Sequence, residues 1–296
     1  MSALPESEFI TNPDGSIYHL NLRPEQLAPT VITVGDPERV EKITRHFDQL
    51  EAVVRKREFH TQTGYYKGKR ISVISTGIGT DNIDIVMNEL DALVNIDFST
   101  RTVKKELTQL DIIRIGTSGS LHADIPVDSF LASEMAIGLD ALLHFYHNEN
   151  VQDPGLNEAL QDLYNGNLKS RPYSVGSNHL LLEKFEDPQV HKGITVTNIG
   201  FYGPQGRVLR LPLASPGFNA RLASFEYQGK KITNMEMETS GIYALSKLLG
   251  HRALSLNAIV ANRASGTFSS DPGKLVDELI IFALERLVTP SENPNS

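Results

Sequence analysis

Short apolar runs alternate with amphipathic segments along most of this chain. Residues 30–35, 111–115 and 194–199 are rich in β-branched side chains, and each run predicts a buried strand. Residues 83–94 and 273–288 repeat apolar positions at helical spacing, and each segment predicts a helix with one buried face. This alternation of strands and helices is typical of an α/β fold.

Turn and cap signals connect these elements. Asp36 and Pro37 predict the cap and the first residue of a helix directly after the first strand. Residues 57–66 and 70–75 flank Lys67-Gly68-Lys69 and predict a β-hairpin. Further strands are predicted at 128–138 and 251–260, and further helices at 155–165 and 177–186. We therefore expect one domain over residues 1–296, with a central mixed, largely parallel β-sheet flanked by helices and a disordered tail at about 289–296.

Composition narrows the class of protein. Of the 296 residues, 40% are hydrophobic, which is enough for a sizeable core. The formal net charge of -8 argues against a general nucleic-acid-binding protein, and no window approaches the length of a membrane span. The absence of cysteine excludes disulfides and thiolate metal sites. Because the N-terminus also lacks a signal-peptide pattern, we expect a soluble cytoplasmic protein.

Two carboxylates follow an apolar strand at Glu236 and Glu238. Strand alternation puts both on one face, with Met235 and Met237 on the other. Residues 241–250 have helical spacing, so the pair lies at a strand-to-helix junction, where open α/β sheets commonly bind ligands. Two interpretations stay open at this point. Either one glutamate caps the helix while the other is solvated, or the pair faces a ligand.

Three predicted strand ends combine glycine with a hydroxyl group or an arginine. They are Gly35-Asp36-Pro37-Glu38-Arg39, Ser75-Thr76-Gly77-Ile78-Gly79 and Arg114-Ile115-Gly116-Thr117-Ser118-Gly119. Glycine lets backbone N–H groups approach an anion, and arginine offers a planar charged fork that matches phosphate. Each loop alone also fits an ordinary tight turn. Arg114, however, interrupts an apolar run, and a buried arginine needs an anionic partner.

Six segments, taken in order over about residues 17–263, resemble the nucleoside phosphorylases of the uridine phosphorylase type. The segments are Gly35-Asp36-Pro37-Glu38-Arg39-Val40, Arg57-Glu58-Phe59, Ser75-Thr76-Gly77-Ile78-Gly79, Arg114-Ile115-Gly116-Thr117-Ser118-Gly119, Phe201-Tyr202 with Gln205-Gly206-Arg207, and Glu236-Met237-Glu238. Each segment alone is a weak signal, whereas the ordered set is specific. The resemblance implies the phosphorylase fold and a reaction in which phosphate cleaves a nucleoside.

The resemblance also implies a role for each matching residue. For phosphate it implies Gly35, Arg39, Arg114 and Thr117, with Arg57 donated by a neighbouring subunit. For ribose it implies Met237, Glu238 and Glu236, with His19 reaching across the subunit interface. For the base it implies Phe201, Gln205 and Arg207. Arg114, Arg207 and Glu238 are the implied catalytic residues. As a lone histidine near the terminus, His19 also fits an exposed surface position.

The residues implied for the base have a physical rationale. The amide of Gln205 offers a donor and an acceptor to the N–H and C=O edge of uracil, and Arg207 can bond a carbonyl that gains negative charge. An ordinary polar loop is the alternative. Purine phosphorylases that resemble this fold place a serine-aspartate pair near the final strand end, where this chain has Asn262-Arg263. This difference favours a pyrimidine base.

We therefore expect an enzyme that uses phosphate to cleave uridine to uracil and ribose 1-phosphate, with no covalent enzyme intermediate and no cofactor. The alternatives are a purine nucleoside phosphorylase or a nucleosidase of the same fold, or a nucleoside-binding protein without activity. We expect a homo-oligomer, with a dimer as the catalytic unit or a hexamer, and neither nucleic acid nor membrane as a partner.

Two further signals concern metals. Glu58 and Ser75 match positions that hold a monovalent cation between subunits in some members, so potassium at the interface is an alternative to a metal-free site. His144 and His147 are spaced for a metal on a helix, but no third ligand completes the set. A surface helix is the favoured interpretation of this pair.

Overall fold

The computed structural model describes residues 2–148, 150–164 and 171–289. Its α-helices within these ranges are α1 (Pro37–Thr44), α2 (Thr80–Asn95), α3 (Pro154–Tyr164), α4 (His179–Lys184), α5 (Phe218–Ser224), α6 (Thr239–Leu249) and α7 (Pro272–Val288). Its strands are β1 (Thr30–Val34), β2 (Gln49–Lys56), β3 (Phe59–Tyr66), β4 (Lys69–Ser75), β5 (Ile96–Asp97), β6 (Thr102–Val103), β7 (Asp111–Ser120), β8 (Phe130–Gly138), β9 (Tyr173–Gly176), β10 (Val190–Thr197), β11 (Glu226–Tyr227), β12 (Lys230–Glu236), β13 (Arg252–Asn262) and β14 (Thr267–Phe268).

One large mixed sheet organises the described chain. Its strands follow the order β11-β12-β10-β8-β13-β7-β1-β4-β3-β2, with β9 beside β8 and β14 beside β13. Strands β1, β4, β7 and β13 run parallel to their neighbours in this group, whereas β8 is antiparallel to β13. The end of β12 also pairs with β7, in the register Asn234↔Ser120 and Met235↔Gly119. This extra pairing closes β12, β10, β8, β13 and β7 into a ring.

Helices cover both faces of the sheet, which explains the apolar strands. Val31 and Ile112 pack in one core with residues of α2 and α6, while their chain neighbours Ile32 and Ile113 pack in a second core with residues of α1 and α7. Successive side chains of a strand point to opposite faces, so a strand that is buried on both faces reads as a continuous apolar run. The predicted mixed sheet flanked by helices is confirmed.

Local signals located several elements well. Asp36 caps α1, since its side chain accepts from the backbone N–H of Glu38 at 2.9 Å. The hairpin turn between β3 and β4 has positive φ at Lys67 (48°) and Gly68 (79°), as a two-residue turn requires. The helix predicted at 273–288 is observed as α7.

Two local predictions were wrong, and one strand was missed. Residues 116–120 were predicted to form a turn, but β7 continues through them to Ser120. Strand β2 was not predicted, because it is an exposed edge strand with mixed polar and apolar residues. Arg57, predicted to begin a strand, instead lies in the turn between β2 and β3 with φ 55°. Of the predicted disordered tail, 290–296 lies outside the described residues.

Candidate active site

A buried arginine stands at the centre of the candidate site. Arg114 lies in the middle of β7 and is 6% exposed. One guanidinium nitrogen, Nη2, lies 2.6 Å from Glu238 Oε2 and 3.1 Å from Glu236 Oε2, and Nη1 donates to Asn257 Oδ1 at 3.0 Å. Burial alone would lower the pKa of Arg114, but the two carboxylates raise it above its ordinary value. The sequence prediction that this arginine has an anionic partner is confirmed.

Gly116 makes this placement of the guanidinium sterically feasible. A Cβ atom at position 116 would lie 2.0 Å from Arg114 Nη1 and 2.3 Å from Arg114 Cζ. Such distances are far below van der Waals contact, so the arginine folds back over a position that only glycine leaves open. This steric requirement explains why a glycine stands inside β7, in residues that were predicted to form a turn.

Glu236 and Glu238 have different surroundings although they stand two residues apart. The carboxylate of Glu236 accepts from the backbone N–H groups of Glu238 and Thr239, each at 2.9 Å, and from the hydroxyl of Thr197 at 2.7 Å. Glu236 therefore caps the start of α6, which agrees with the interpretation that one of the two glutamates is a helix cap. Burial, helped by the negative charge of Glu238, raises the pKa of Glu236, while Arg114 opposes this shift.

Glu238 is buried and paired rather than solvated. Its Oε1 accepts from the backbone N–H of Gly79 at 2.9 Å, and its Oε2 accepts from Arg114 at 2.6 Å. Gly79 directly precedes α2, so Glu238 joins the starts of two helices to the central strand β7. The carboxylate is held in one position before any ligand binds.

A second cation approaches the same cluster from α1. Arg39 Nη1 donates to the carbonyl of Ile115 at 3.2 Å, directly beside Arg114 in β7. Burial and then the positive charge of Arg114 lower the pKa of Arg39, whereas Asp36 and then Glu238 act in the opposite direction. Gly35 directly follows β1, which pairs with β7, and half-buried Thr117 lies in β7 itself. Of the residues that the resemblance implied for phosphate, the structure therefore places Arg39 against the strand that carries Arg114 and Thr117.

Two implied residues lie on a separate patch around Tyr18. The exposed guanidinium of Arg57 is 6.0 Å from the centre of the Tyr18 ring, and the ring of His19 is 4.7 Å from it. His19 Nδ1 also lies 2.6 Å from Glu89 Oε1 in α2. None of the described contacts of Arg57 or His19 reaches the Arg114 cluster. These are the two residues that the resemblance assigns to the active site of a neighbouring subunit.

The segment after β10 presents the residues implied for the base. Arg207 Nη1 donates to Gln205 Oε1 and to the carbonyl of Phe201, both at 2.6 Å, and the guanidinium lies 3.7 Å from the centre of the Phe201 ring. Burial and the nearby charge of Arg263 lower the pKa of Arg207. Gln205 is buried and Phe201 is half-exposed. These three side chains therefore form one contiguous group.

A cavity of about 960 Å³ lies beside this group. Its lining includes Arg207, Leu139 and Asn198, but neither Arg114 nor Glu238. The cavity therefore adjoins the base end of the site, and the charged cluster lies outside it.

Met237 and Asn262 are the remaining residues of interest near this region. Half-buried Met237 lies between the two glutamates. The side chain of Asn262 donates to the carbonyls of His122 and Ile125, and it accepts from the N–H groups of Ala264 and Ser265. All the polar capacity of the Asn262 side chain is used within the chain, and neither Asn262 nor Arg263 carries the carboxyl group that protonates a purine in the purine enzymes.

The predicted metal signals gain little from the structure. Ser75 Oγ donates to the carbonyl of Glu58 at 2.5 Å and accepts from the N–H of His60 at 2.8 Å. Two oxygens thus lie side by side, and a potassium ion there stays a prediction. A ring nitrogen of His144 is 2.8 Å from the carbonyl of Arg171. Among the described residues, no three His, Asp or Glu side chains are grouped to hold a metal ion.

Sequence reasoning missed residues that support the charged cluster. Asn257 in β13 bonds Arg114, and Thr197 at the end of β10 bonds Glu236. Asn257 had the same signal as Arg114, because it is a polar residue within an apolar strand. Thr197 carried no such signal, since threonine is common in strands.

Comparison with known proteins identifies the family. The model of the phosphorylase superfamily matches residues 29–285. The chain belongs to the phosphorylase superfamily. This confirms the family that the ordered motifs predicted, and it makes the protein an enzyme of this superfamily.

Relatives within the phosphorylase superfamily carry two kinds of name. The uridine phosphorylase of Thermococcus kodakarensis is 30% identical over 261 residues, which are 86% of this chain and 80% of that protein. A purine nucleoside phosphorylase of Thermoanaerobacter sp. is 26% identical, covering 90% of this chain and 97% of that protein. The crystal structure of a Trypanosoma brucei nucleoside phosphorylase that shows uridine phosphorylase activity has a TM-score of 0.85 at 28% identity, covering 95% of this chain and all of that one.

No helix among the described residues is long and apolar enough to cross a bilayer.

Proposed function

We propose that the protein catalyses the reversible phosphorolysis of uridine to uracil and ribose 1-phosphate. The observation that carries this proposal is the buried pair of Arg114 and Glu238 at 2.6 Å, with Arg39 bonded to the carbonyl of Ile115, the next residue of the same strand. Two arginines suit the oxygens of phosphate, and a fixed carboxylate suits the hydroxyl groups of a sugar. The uridine phosphorylase names among the relatives support the same substrates.

In the proposed reaction, an oxygen of phosphate bonds to the anomeric carbon while the bond from that carbon to the base breaks. The bonding electron pair leaves with uracil, which becomes anionic. Arg207 and Gln205 would stabilise that charge, and Glu238 would hold the ribose in line. No protein group needs to form a covalent bond. The rate enhancement would come from positioning and electrostatics.

Two details of the site favour a pyrimidine over a purine. Arg207 and Gln205 already bond each other, which orients their side chains for a carbonyl-rich base. Arg263, which stands where the purine enzymes place the aspartate of their serine-aspartate pair, has no carboxyl group to protonate a purine, and its neighbour Asn262 is fully engaged by backbone groups. The homo-oligomer and the cytoplasmic location stay proposals.

The decisive assay measures release of uracil from uridine with and without phosphate. We expect release only with phosphate, together with formation of ribose 1-phosphate. Equal release in phosphate-free buffer would instead indicate a nucleosidase. A parallel assay of thymidine, inosine and adenosine tests the base, and cleavage of inosine faster than uridine would contradict the proposed pyrimidine preference.

The assignment of phosphate to Arg39 has a matched control. Arg39→Met should raise the KM for phosphate strongly, because the variant loses one of two cations near the expected position of the anion. Lys42→Met removes a positive charge from the same helix, one turn further on, and should leave this KM nearly unchanged. Equal effects of the two substitutions would indicate general charge rather than a phosphate contact.

A further inference from the structure

The candidate site is connected to a chain of buried polar side chains that passes through the ring of strands. Each strand of the ring contributes one member, and the members are Asn257 (β13), Ser133 (β8), Thr195 (β10), Asn234 (β12) and Ser118 (β7). We call these five residues the polar circuit. All five are buried, whereas Ile194 and Val196, on either side of Thr195, pack in a hydrophobic core with residues of α3 and α5. Because successive side chains of a strand point to opposite faces, the circuit faces the inside of the ring.

The polar circuit begins at the guanidinium of Arg114. Arg114 Nη1 donates to Asn257 Oδ1 at 3.0 Å, and Asn257 Nδ2 donates to Ser133 Oγ at 3.2 Å. Exchanging the nitrogen and oxygen of the Asn257 amide would place two donors 3.0 Å apart, so the amide has one favourable orientation. Asn257 therefore serves Arg114 only while its oxygen faces the guanidinium.

The far half of the circuit fixes the direction in which the hydroxyl protons point. Asn234 Nδ2 donates to Ser118 Oγ at 2.9 Å, and Asn234 Oδ1 accepts from Thr195 Oγ1 at 2.8 Å. A hydroxyl has one proton, and the proton of Thr195 is used in this bond. In the 2.5 Å contact between the hydroxyls of Ser133 and Thr195, Ser133 must then be the donor. Every donor therefore points the same way, from Arg114 around the ring to Ser118.

This common direction links Asn257 to residues that do not contact Arg114. If Thr195 could not accept, the proton of Ser133 would need another acceptor, and the Asn257 amide supplies one only by turning its oxygen towards Ser133. The same rotation would point Asn257 Nδ2 at the guanidinium, donor against donor. Buried polar groups without partners are costly and aligned hydrogen bonds strengthen one another, so the complete circuit favours the observed orientation of the amide.

We infer that the polar circuit is a positioning device for Arg114, with Asn257 in direct contact and the other members acting through it. The circuit keeps an acceptor on Arg114 Nη1, while the two glutamates of the cluster hold Nη2. The guanidinium is thereby fixed from two sides before an anion binds. This inference rests on the proposed function for the identity of that anion, which is phosphate.

The test breaks the circuit at Thr195, which does not contact Arg114. Thr195→Val keeps the shape of the side chain and removes its hydroxyl. We expect the KM for phosphate to rise roughly fivefold, the effect of about one hydrogen bond. The KM for uridine should change far less, because Gly79 still holds Glu238. Thr195→Ser restores the hydroxyl and should restore the KM for phosphate, whereas Ser133→Ala breaks the neighbouring link and should act like Thr195→Val.

Thr63→Val is the matched control for the loss of a buried hydroxyl. Thr63 lies in β3, outside the ring, and its hydroxyl bonds the carbonyl of Gln26 at 2.7 Å and Ser72 Oγ at 2.6 Å. This variant should lose stability in urea, as Thr195→Val does, but its KM for phosphate should be unchanged. The inference is overturned if Thr195→Val and Ser133→Ala keep the original KM for phosphate, if the KM values for phosphate and uridine rise equally, or if Thr195→Ser fails to reverse the rise.

Calorimetry with inorganic phosphate separates this inference from the proposed function, because it does not depend on turnover. If the unchanged protein binds phosphate more tightly than the two circuit variants but does not cleave uridine, the proposed function fails and the positioning role stands. If uridine is cleaved with phosphate but the circuit variants bind phosphate as tightly as the unchanged protein, the positioning role fails alone. Absence of phosphate binding by the unchanged protein would overturn both.

Discussion

One added methyl group at Gly116 should disrupt the candidate site without touching any charged residue. In Gly116→Ala the new Cβ would lie 2.0 Å from Arg114 Nη1 and 2.6 Å from Nη2. The backbone need not move, because the clashing atoms are the end of a flexible side chain. The guanidinium must instead leave Glu238 and Glu236, which it now approaches at 2.6 and 3.1 Å.

The magnitude follows from the buried ion pairs. Breaking a buried pair costs about 3–5 kcal/mol, because charges are left without partners. Replacing glycine by alanine restricts the unfolded chain and returns up to about 1 kcal/mol. The free energy of unfolding should therefore fall by about 2–4 kcal/mol. Phosphate-dependent uridine cleavage should fall steeply as well, since the displaced arginine no longer faces the site.

Gly119→Ala is the matched control on the same strand. A Cβ at position 119 would lie 3.8 Å from the nearest atom, the Cβ of Ala261, which is ordinary contact. This variant should be as stable as the unchanged protein or slightly more stable. Urea denaturation and initial rates are measured for both variants. If Gly116→Ala matched Gly119→Ala in stability and rate, the proposed dependence on the Arg114 position would be refuted.

Three further perturbations test separate parts of the site. Arg207→Ala should lower kcat for uridine by about 10²–10³, the usual effect of removing a donor to a developing anion, while Arg210→Ala from the same cavity wall should have far less effect. The pKa of Glu236 is raised in the folded state, so the contribution of this residue to the free energy of unfolding falls as pH rises from the unfolded-state pKa through the folded-state pKa. Urea denaturation over that pH range should therefore show the free energy of unfolding of Glu236→Gln rising relative to that of the unchanged protein. A difference between the two proteins that does not vary with pH would contradict this. If two subunits share each site, mixing inactive Arg57→Ala and Glu238→Ala subunits should restore roughly a quarter of the activity. About half of the dimers are then mixed, and each mixed dimer has one intact site out of two. Subunits with independent sites would stay inactive.

Local chemistry made part of this fold predictable. The β1–α1 unit could be located because Asp36 and Pro37 mark a helix start directly after an apolar run. Closure of the ring could not be predicted in this way. It depends on pairing Asn234 with Ser120, which are far apart in the chain and carry no local signal for each other.

The charged cluster was likewise predictable only in part. A buried arginine at position 114 predicted an anionic partner, and the structure supplies Glu236 and Glu238. Strand alternation placed both glutamates on one face, but it could not distinguish their roles. That distinction depends on the point where β12 ends and α6 begins, because Glu236 then caps the helix while Glu238 reaches Gly79.

The charge balance of the cluster supports the proposal that two subunits share an active site. All the hydrogen-bond partners described for the Glu236 carboxylate are donors, which suits its ionised form despite burial. The positive charges of Arg39 and Arg114 face the carboxylates of Glu236 and Glu238, and Asp36 adds a further negative charge near Arg39, so the cluster has no excess of positive charge before phosphate arrives. An additional cation would therefore favour the proposed binding of a phosphate dianion there. Arg57 lies exposed on a separate patch, and a second copy of the chain could deliver it without first breaking an internal ion pair.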